Sequence, residues 1–458
     1  MQYTFVSGSQ GNSPRLILIF SGWGMDPHPF SGLRRPGYDI AVVWDYRSLD
    51  FPAYITEGYD EICVVAWSMG VLAASASAAH FSRRLTLSVA VNGTMHPVDD
   101  RLGIPVAIFN ATLENLTERS LEKFRMRMCG GARNYASFME TAPRRPLDEL
   151  KDELRVLGRL AEDGLADERI WDHAVISDGD AIFPPASQKA AWADRTRSVS
   201  IVRGCHIPDF QELIDHFVMN KAVVERRFER SNATYGDNAV VQREIADELA
   251  GLIARNFSSP TPVMLEIGCG TGMLSTPLLA LADRLGGSLE LWDIVDSRPI
   301  AGAAFRCADA ETAIRELPDS SCSLIASAST IQWFNSPVKF IREAMRCLKP
   351  GGMLAISTFA TGNLVEVAQA TGCFLPLIAE HEWRKAIEGL GDIIACHTRR
   401  KILRFTDPVK VFRHLKSTGV NALSAKESLL RSLDRYPREA DGACHLTYLP
   451  IFIVLRKK

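Results

Sequence analysis

The sequence predicts an α/β chain of two successive units, each built on a largely parallel sheet with helices on both faces. Three observations carry this. Short continuous apolar runs, RLILIF at 15–20, AVVW at 41–44 and EICVVAW at 61–67, alternate with polar or Ala-rich stretches, as strands buried on both faces do. A second series of such runs begins afresh with VMLEIG at Val263. Each series carries a glycine-bearing turn directly after a strand, AWSMG at 66–70 and EIGCGTG at 266–272. A length of 458 residues has room for two or more domains.

Taken in order, an Ala-rich helix is expected after Met69, then strands at Leu85 to Val91 and Val106 to Phe109. The stretch 112–165 is charged, rich in Leu, Arg and Glu, and broken by Gly130-Gly131, so it reads as a helical insertion. Strands return at HAVIS (173–177) and SVSIV (198–202). From Ile214 the pattern is helical and runs into SNATYGDNAVVQREIADELAGLI without a Gly/Pro/Ser-rich linker, which places the boundary near residue 220 and the units at 1–219 and 220–458. Further strands are expected at LELWD (289–293), SLIASA (323–328) and MLAISTF (353–359), with HLTYLPIFIVLRKK as a terminal strand.

The formal net charge of −2 sets up no field that attracts nucleic acid or an anionic membrane. Ten cysteines are scattered and never form Cys-x-x-Cys, as expected of reduced thiols in a cytoplasmic protein rather than of a disulfide framework, and no metal site is expected. No basic-then-apolar leader opens the chain, and no apolar run approaches the roughly 20 residues that cross a bilayer.

In AWSMG, Ser68 stands where a strand turns sharply into a helix, the setting of a nucleophile elbow. Small residues are needed two positions to either side: Gly70 fits, and Ala66 adds a methyl to the usual glycine. A hydrolase triad on such a sheet runs serine, acid, histidine along the chain. Asp180 follows the strand HAVIS and His206 follows SVSIV, with Asp178 a rival acid on the same loop. An oxyanion hole needs two N–H donors, here expected from Met69 and from Trp23 in the loop Ser21-Gly22-Trp23-Gly24.

FSGWGMDPHPF (20–30), AWSMG, IFPP (182–185) and CHIPDF (205–210) resemble the BioG family of pimeloyl-acyl-carrier-protein methyl esterases over about the first 215 residues. The resemblance implies an α/β-hydrolase-type unit whose helical insertion is a lid that shelters an acyl chain and meets an acidic carrier protein. Leu121, Phe124, Met128 and Phe138 are candidates for the acyl pocket, and Arg125, Arg127, Arg133, Arg144 and Arg145 for the carrier contact.

In EIGCGTG, Gly268 and Gly270 let backbone approach a ligand at a helix N-terminus. A bare G-x-G-x-G suits a nicotinamide cofactor as well. S-adenosylmethionine is favoured because Glu266 stands two residues before the first glycine and a strand closes the chain after LKPGG (348–352), where class I methyltransferases place an antiparallel hairpin. Asp293 at the next strand end is placed for ribose hydroxyls, and Asp309, followed by Ala310, for the adenine. RFERSNATYGDNAVVQREIADEL (227–249), STIQWFNSPVKFIREAMRCLKPGG (329–352) and STFATGNLVEV (357–367) resemble the BioC family of malonyl-acyl-carrier-protein O-methyltransferases over nearly all of 223–458. That resemblance implies a Rossmann-like class I unit in which Tyr235 and Gln242 cover the cofactor or the malonyl pocket. Gln332 and Trp333 are further candidates to line it.

Together the resemblances imply a bifunctional enzyme of biotin-precursor synthesis. One unit would methylate malonyl-carrier protein, and the other would hydrolyse the methyl ester of pimeloyl-carrier protein. Two other readings stay open: an N-terminal module that only docks the carrier protein, and an esterase for unrelated small esters.

Overall fold

The computed structural model describes every residue except 12, 165–169, 194, 197, 298, 372–374 and 419–428, and the side chains of 231–238 and 429–431. The chain divides into two compact units, Met1–Asn220 and Lys221–Lys458.

In the first unit the strands are β1 (Gln2–Ser7), β2 (Arg15–Phe20), β3 (Asp39–Trp44), β4 (Glu61–Trp67), β5 (Leu85–Val91), β6 (His173–Ser177) and β7 (Ser198–Val202). They form one sheet in the order β1-β3-β2-β4-β5-β6-β7, parallel except for β1, which runs antiparallel to β3. β2, β4 and β5 are buried along nearly their whole length. This explains why they read as unbroken apolar runs rather than as an alternation.

Among the described residues, four helices lie between β5 and β6: Val106–Glu114, Glu118–Met128, Ala132–Met139 and Leu147–Asp163. Val106–Phe109 is therefore helix, not the strand its apolar sequence suggested. Four apolar residues cannot distinguish the two states. Pro105 precedes the first helical position with extended ψ, and Phe109 packs its ring where a Cβ on Gly158 would stand 2.9 Å away. The helical insertion accordingly starts at 106 rather than 112.

In the second unit the strands are β8 (Val263–Ile267), β9 (Ser288–Asp293), β10 (Ala304–Cys307), β11 (Cys322–Ala328), β12 (Leu348–Phe359), β13 (Asp392–Thr398), β14 (Lys401–Phe405), β15 (Cys444–Tyr448) and β16 (Pro450–Arg456). The main sheet runs β10-β9-β8-β11-β12-β16-β13; the first five strands are mutually parallel, and β16 pairs antiparallel with both of its neighbours, β12 and β13. This is a Rossmann-like sheet whose order reverses between β8 and β11, the point at which such folds bind ligands. Alternate residues feed two separate cores: Met264, Leu324 and Phe452 on one face, Leu265, Ile325 and Ile453 on the other. The C-terminal run is two strands rather than one. Pro450 begins β16 after Leu449, and β15 instead pairs with β14 in a small second sheet.

Candidate active sites

The first site lies at the C-terminal ends of β4, β6 and β7. Ser68 has φ +58, and the turn is held by its N–H donating to Val91 O (2.9 Å) and its carbonyl accepting from Val71 N–H (3.1 Å). Such a conformation is costly for a residue other than glycine and is typical of functional turns. Glycines make it possible. A Cβ on Gly70 would stand 2.4 Å from the carbonyl oxygens of Phe20 and Ser21, and one on Gly93 2.3 Å from Ser68 O.

Ser68 Oγ is 2.9 Å from His206 Nε2, and His206 Nδ1 is 2.9 Å from Asp180 Oδ2. All three are buried. Asp180 also accepts from the N–H groups of Ile182 (2.8 Å) and Phe183 (2.9 Å) and from Gln188 Nε2 (3.0 Å), so its orientation is over-determined. The rival Asp178 is exposed and accepts instead from Gly204 N–H at 3.1 Å. Sequence reasoning missed Trp67 and Asn92, whose side-chain N–H groups each donate to His206 O at 2.8 Å and fix the histidine's backbone.

Beside the triad is a cavity with about 620 Å³ of open space, lined by Trp23, Met69, Ile104, Ile108, Phe109, Phe124, Met128, Leu154 and Ile182 among others. Among the described residues the backbone N–H groups of Trp23 and Met69 are not spent on any other acceptor. Arg127 is exposed at the cavity, whereas Arg125 is partly buried. Leu121 and Phe138 do not line the cavity; both are buried in the hydrophobic core of the unit. Arg145 is no surface contact either: its guanidinium is buried against Asp45 and Glu153.

The second site is a cavity of about 1110 Å³, open to solvent, at the C-terminal ends of β8, β9 and β11. Glu266, Gly268, Gly270, Asp293, Asp309, Ala310, Gln242 and Trp333 all line it, joined by Lys221, Phe228 and Ser329, which sequence reasoning missed. Asp293 Oδ2 accepts Gly270 N–H at 2.8 Å and Oδ1 accepts Val295 N–H at 2.9 Å, which ties the glycine turn to the end of β9. Asp309 pairs with Lys221 Nζ at 2.8 Å. Burial, aided by the nearby Asp293 carboxylate, pushes Glu266 up to about 8. Gln332 does not reach the cavity: it donates to Ser329 O (2.5 Å) and accepts from Thr358, locking the turn that presents Trp333. The Tyr235 side chain lies outside the described residues.

These residues fit S-adenosylmethionine. Among the described residues, Glu266 Oε2 and Gln242 Oε1 are buried acceptors with no partner, and Thr271 Oγ1, Ser329 Oγ and Trp333 Nε1 are buried and equally unpartnered. So many unmet groups around one cavity call for a polar ligand. A Cβ on Gly270 would meet nothing within 4 Å, so the space beside the turn is open.

Residues 1–218 match the family model of the pimeloyl-ACP methyl esterase BioG, and residues 265–356 match that of a methyltransferase domain. A malonyl-[acyl-carrier protein] O-methyltransferase of Bacteroides fragilis is 35% identical over 476 residues, covering 99% of this chain and 95% of that protein. The chain belongs to the malonyl-[acyl-carrier protein] O-methyltransferase family. Another such methyltransferase, from Bacteroides thetaiotaomicron, is 36% identical over 265 residues, 52% of this chain and 99% of its own. The crystal structure of BioG from Haemophilus influenzae is 38% identical and covers 45% of this chain and 94% of its own, with a TM-score of 0.41. As a member of the O-methyltransferase family, the chain takes S-adenosylmethionine as methyl donor. No helix among the described residues is long and apolar enough to cross a membrane.

Proposed function

We propose that the chain carries two opposed ester chemistries. The Lys221–Lys458 unit methylates the free carboxylate of malonyl-acyl-carrier protein. The Met1–Asn220 unit, an α/β-hydrolase with a helical lid, hydrolyses the methyl ester of pimeloyl-acyl-carrier protein. A free ω-carboxylate is costly in the apolar tunnels of chain-elongating enzymes, so the ester would mask it and later release it for biotin-precursor synthesis. The observation that carries the hydrolase half is the Ser68–His206–Asp180 chain of 2.9 Å hydrogen bonds beside an apolar cavity. A docking module would have no use for it.

In hydrolysis, His206 Nε2 takes the Ser68 proton as Oγ attacks the ester carbonyl. Asp180 holds the tautomer that keeps Nε2 free to accept. The oxyanion is received by the N–H groups of Trp23 and Met69; as it collapses, the C–OCH3 bond breaks and His206 gives its proton to the departing methoxide oxygen, releasing methanol and leaving acyl-Ser68. Water then releases the acid from the acyl-serine by the same route.

In methylation, S-adenosylmethionine supplies an electrophilic methyl group. Glu266, Asp293 and Asp309 would orient its polar groups, and the bare Gly270 backbone would leave space for it. The acceptor carboxylate is already ionised at neutral pH, so no general base is required of the chain. Its residues position the partners and exclude water. Mass spectrometry of malonyl-carrier protein incubated with S-adenosylmethionine and the Ser68→Ala chain tests the pair: a gain of one methyl group supports the reading, and an unmodified carrier refutes it. Hydrolysis of short acetate esters as fast as of methyl pimelate thioesters would favour the small-ester alternative.

A further inference from the structure

The loop that offers the Trp23 N–H is held largely from the helical insertion. Trp23 Nε1 donates to Leu150 O at 2.8 Å, Arg145 donates to Met25 O at 3.3 Å, and Arg144 N–H donates to Asp26 at 2.7 Å. At the centre is Glu153, a fully buried carboxylate on the helix Leu147–Asp163. Its Oε2 accepts Gly24 N–H at 3.1 Å and its Oε1 accepts Tyr46 N–H at 2.9 Å. Arg145 Nη1 reaches the same Oε2 at 2.6 Å and also pairs with Asp45. Tyr46 then donates its hydroxyl to Ser21 O at 2.8 Å, a second tie to the same loop.

A buried ion pair is rarely the most stabilising filling for a core, because each charge gives up its hydration. Burial indeed pushes the Glu153 carboxyl above its ordinary range, against the pull of Arg145. What a carboxylate does here that an apolar side chain cannot is accept from two N–H groups of separate loops at once.

We propose that Glu153 is a positioning residue for ester hydrolysis: by bridging the Gly24 and Tyr46 N–H groups, it fixes the Trp23 N–H where the oxyanion forms. This rests on the hydrolase reading above. It makes the Leu147–Asp163 helix part of the catalytic frame as well as cover for the cavity. Glutamine at 153 keeps the size but has one acceptor oxygen and an NH2 that faces other donors, so the bridge cannot survive whole.

The test uses the full chain with Glu153→Gln and, separately, Tyr46→Phe, which removes only the hydroxyl tie. Hydrolysis of the methyl pimelate thioester, affinity for an alkylboronic acid that forms a tetrahedral adduct on Ser68, and amide hydrogen exchange of the 21–26 segment are measured together. In Glu153→Gln, kcat should fall about tenfold to a hundredfold with KM nearly unchanged, since one oxyanion donor is misplaced rather than removed. Boronate affinity should fall by a similar factor, and the loop should exchange faster. Tyr46→Phe should move all three readouts the same way by less, and it carries the test if the glutamine variant does not fold. A raised KM at unchanged kcat, or wild-type kcat with a still-protected loop, would overturn the proposal. A wild-type chain that neither hydrolyses the ester nor binds the boronate would instead refute the hydrolase reading, while the exchange data would still decide whether Glu153 holds the loop.

Discussion

Alanine at Gly268 and alanine at Gly270 should fail in different ways, although both glycines stand in one EIGCGTG turn. Both have left-handed backbone, φ +72 and φ +50. An L-residue there costs roughly 1–2 kcal/mol at either position. At Gly268 the new Cβ would also lie 2.1 Å from Thr330 Oγ1, 2.4 Å from Cγ2 and 2.7 Å from Cβ. Thr330 has little freedom to yield, because its hydroxyl donates to Ala328 O at 3.1 Å. Overpacking of this kind adds about 1–3 kcal/mol. The sum, roughly 2–5 kcal/mol, is a large part of a typical domain's stability of about 5–15 kcal/mol.

At Gly270 the Cβ meets nothing within 4 Å, so the folding cost should stay near the conformational term alone. Gly270 lines the cavity proposed for the cofactor, so an added methyl should intrude there instead. A misfit of about 1–3 kcal/mol there weakens binding roughly tenfold to a hundredfold. Denaturant titration should show Gly268→Ala clearly less stable than Gly270→Ala. Calorimetric titration should show Gly270→Ala folded but impaired in S-adenosylmethionine affinity. Equal stabilities, or wild-type affinity in Gly270→Ala, would refute the reasoning.

Ser68→Ala should abolish ester hydrolysis and leave methyl transfer near wild type, read by methanol release and by carrier-protein mass; parallel loss of both would contradict two independent sites. Asp180→Asn should cut hydrolytic kcat by a factor on the order of 10⁴ through the wrong imidazole tautomer. Asp178→Asn should leave it nearly unchanged, because Asp178 touches the Gly204 N–H and not His206. The pimeloyl chain has four methylenes more than malonyl. At about 0.8 kcal/mol each, burial against Ile108, Phe109 and Phe124 should favour its methyl ester roughly a hundredfold in kcat/KM, and equal values would show that the cavity does not read length. Glu266, at about 8 when folded against an ordinary 4.5, lets the cofactor-free folded state hold a proton that the unfolded chain has lost. Stability should therefore fall as pH rises from about 4.5 to 8, by roughly a few kcal/mol, and Glu266→Gln should remove that decline in a pH series of denaturation midpoints.

Much of both sheets could be read from local pattern, because strands buried on two faces are apolar at every position. The reading failed where local pattern is ambiguous. VAIF at 106–109 is four apolar residues, compatible with either state, and only its packing against the Leu147–Asp163 helix shows it as helix. HLTYLPIFIVL reads as one strand, and the division at Leu449-Pro450 becomes evident only when β15 and β16 are seen in different sheets.

By itself the sequence determined the chemistry on offer: a serine on a strand-to-helix turn, an acid and a histidine at later strand ends, and a glycine turn flanked by Glu266 and Asp293. Those features are local, since each depends on a residue type beside a predicted strand. Tertiary structure alone decided which groups meet. Asp180 rather than Asp178 faces His206, Phe124 and Met128 rather than Leu121 and Phe138 reach the cavity, and Glu153 supports a loop more than a hundred residues away. Such choices rest on contacts between chain segments far apart in sequence. Helical or strand periodicity says which face of an element is buried, but not which atoms of another element it meets.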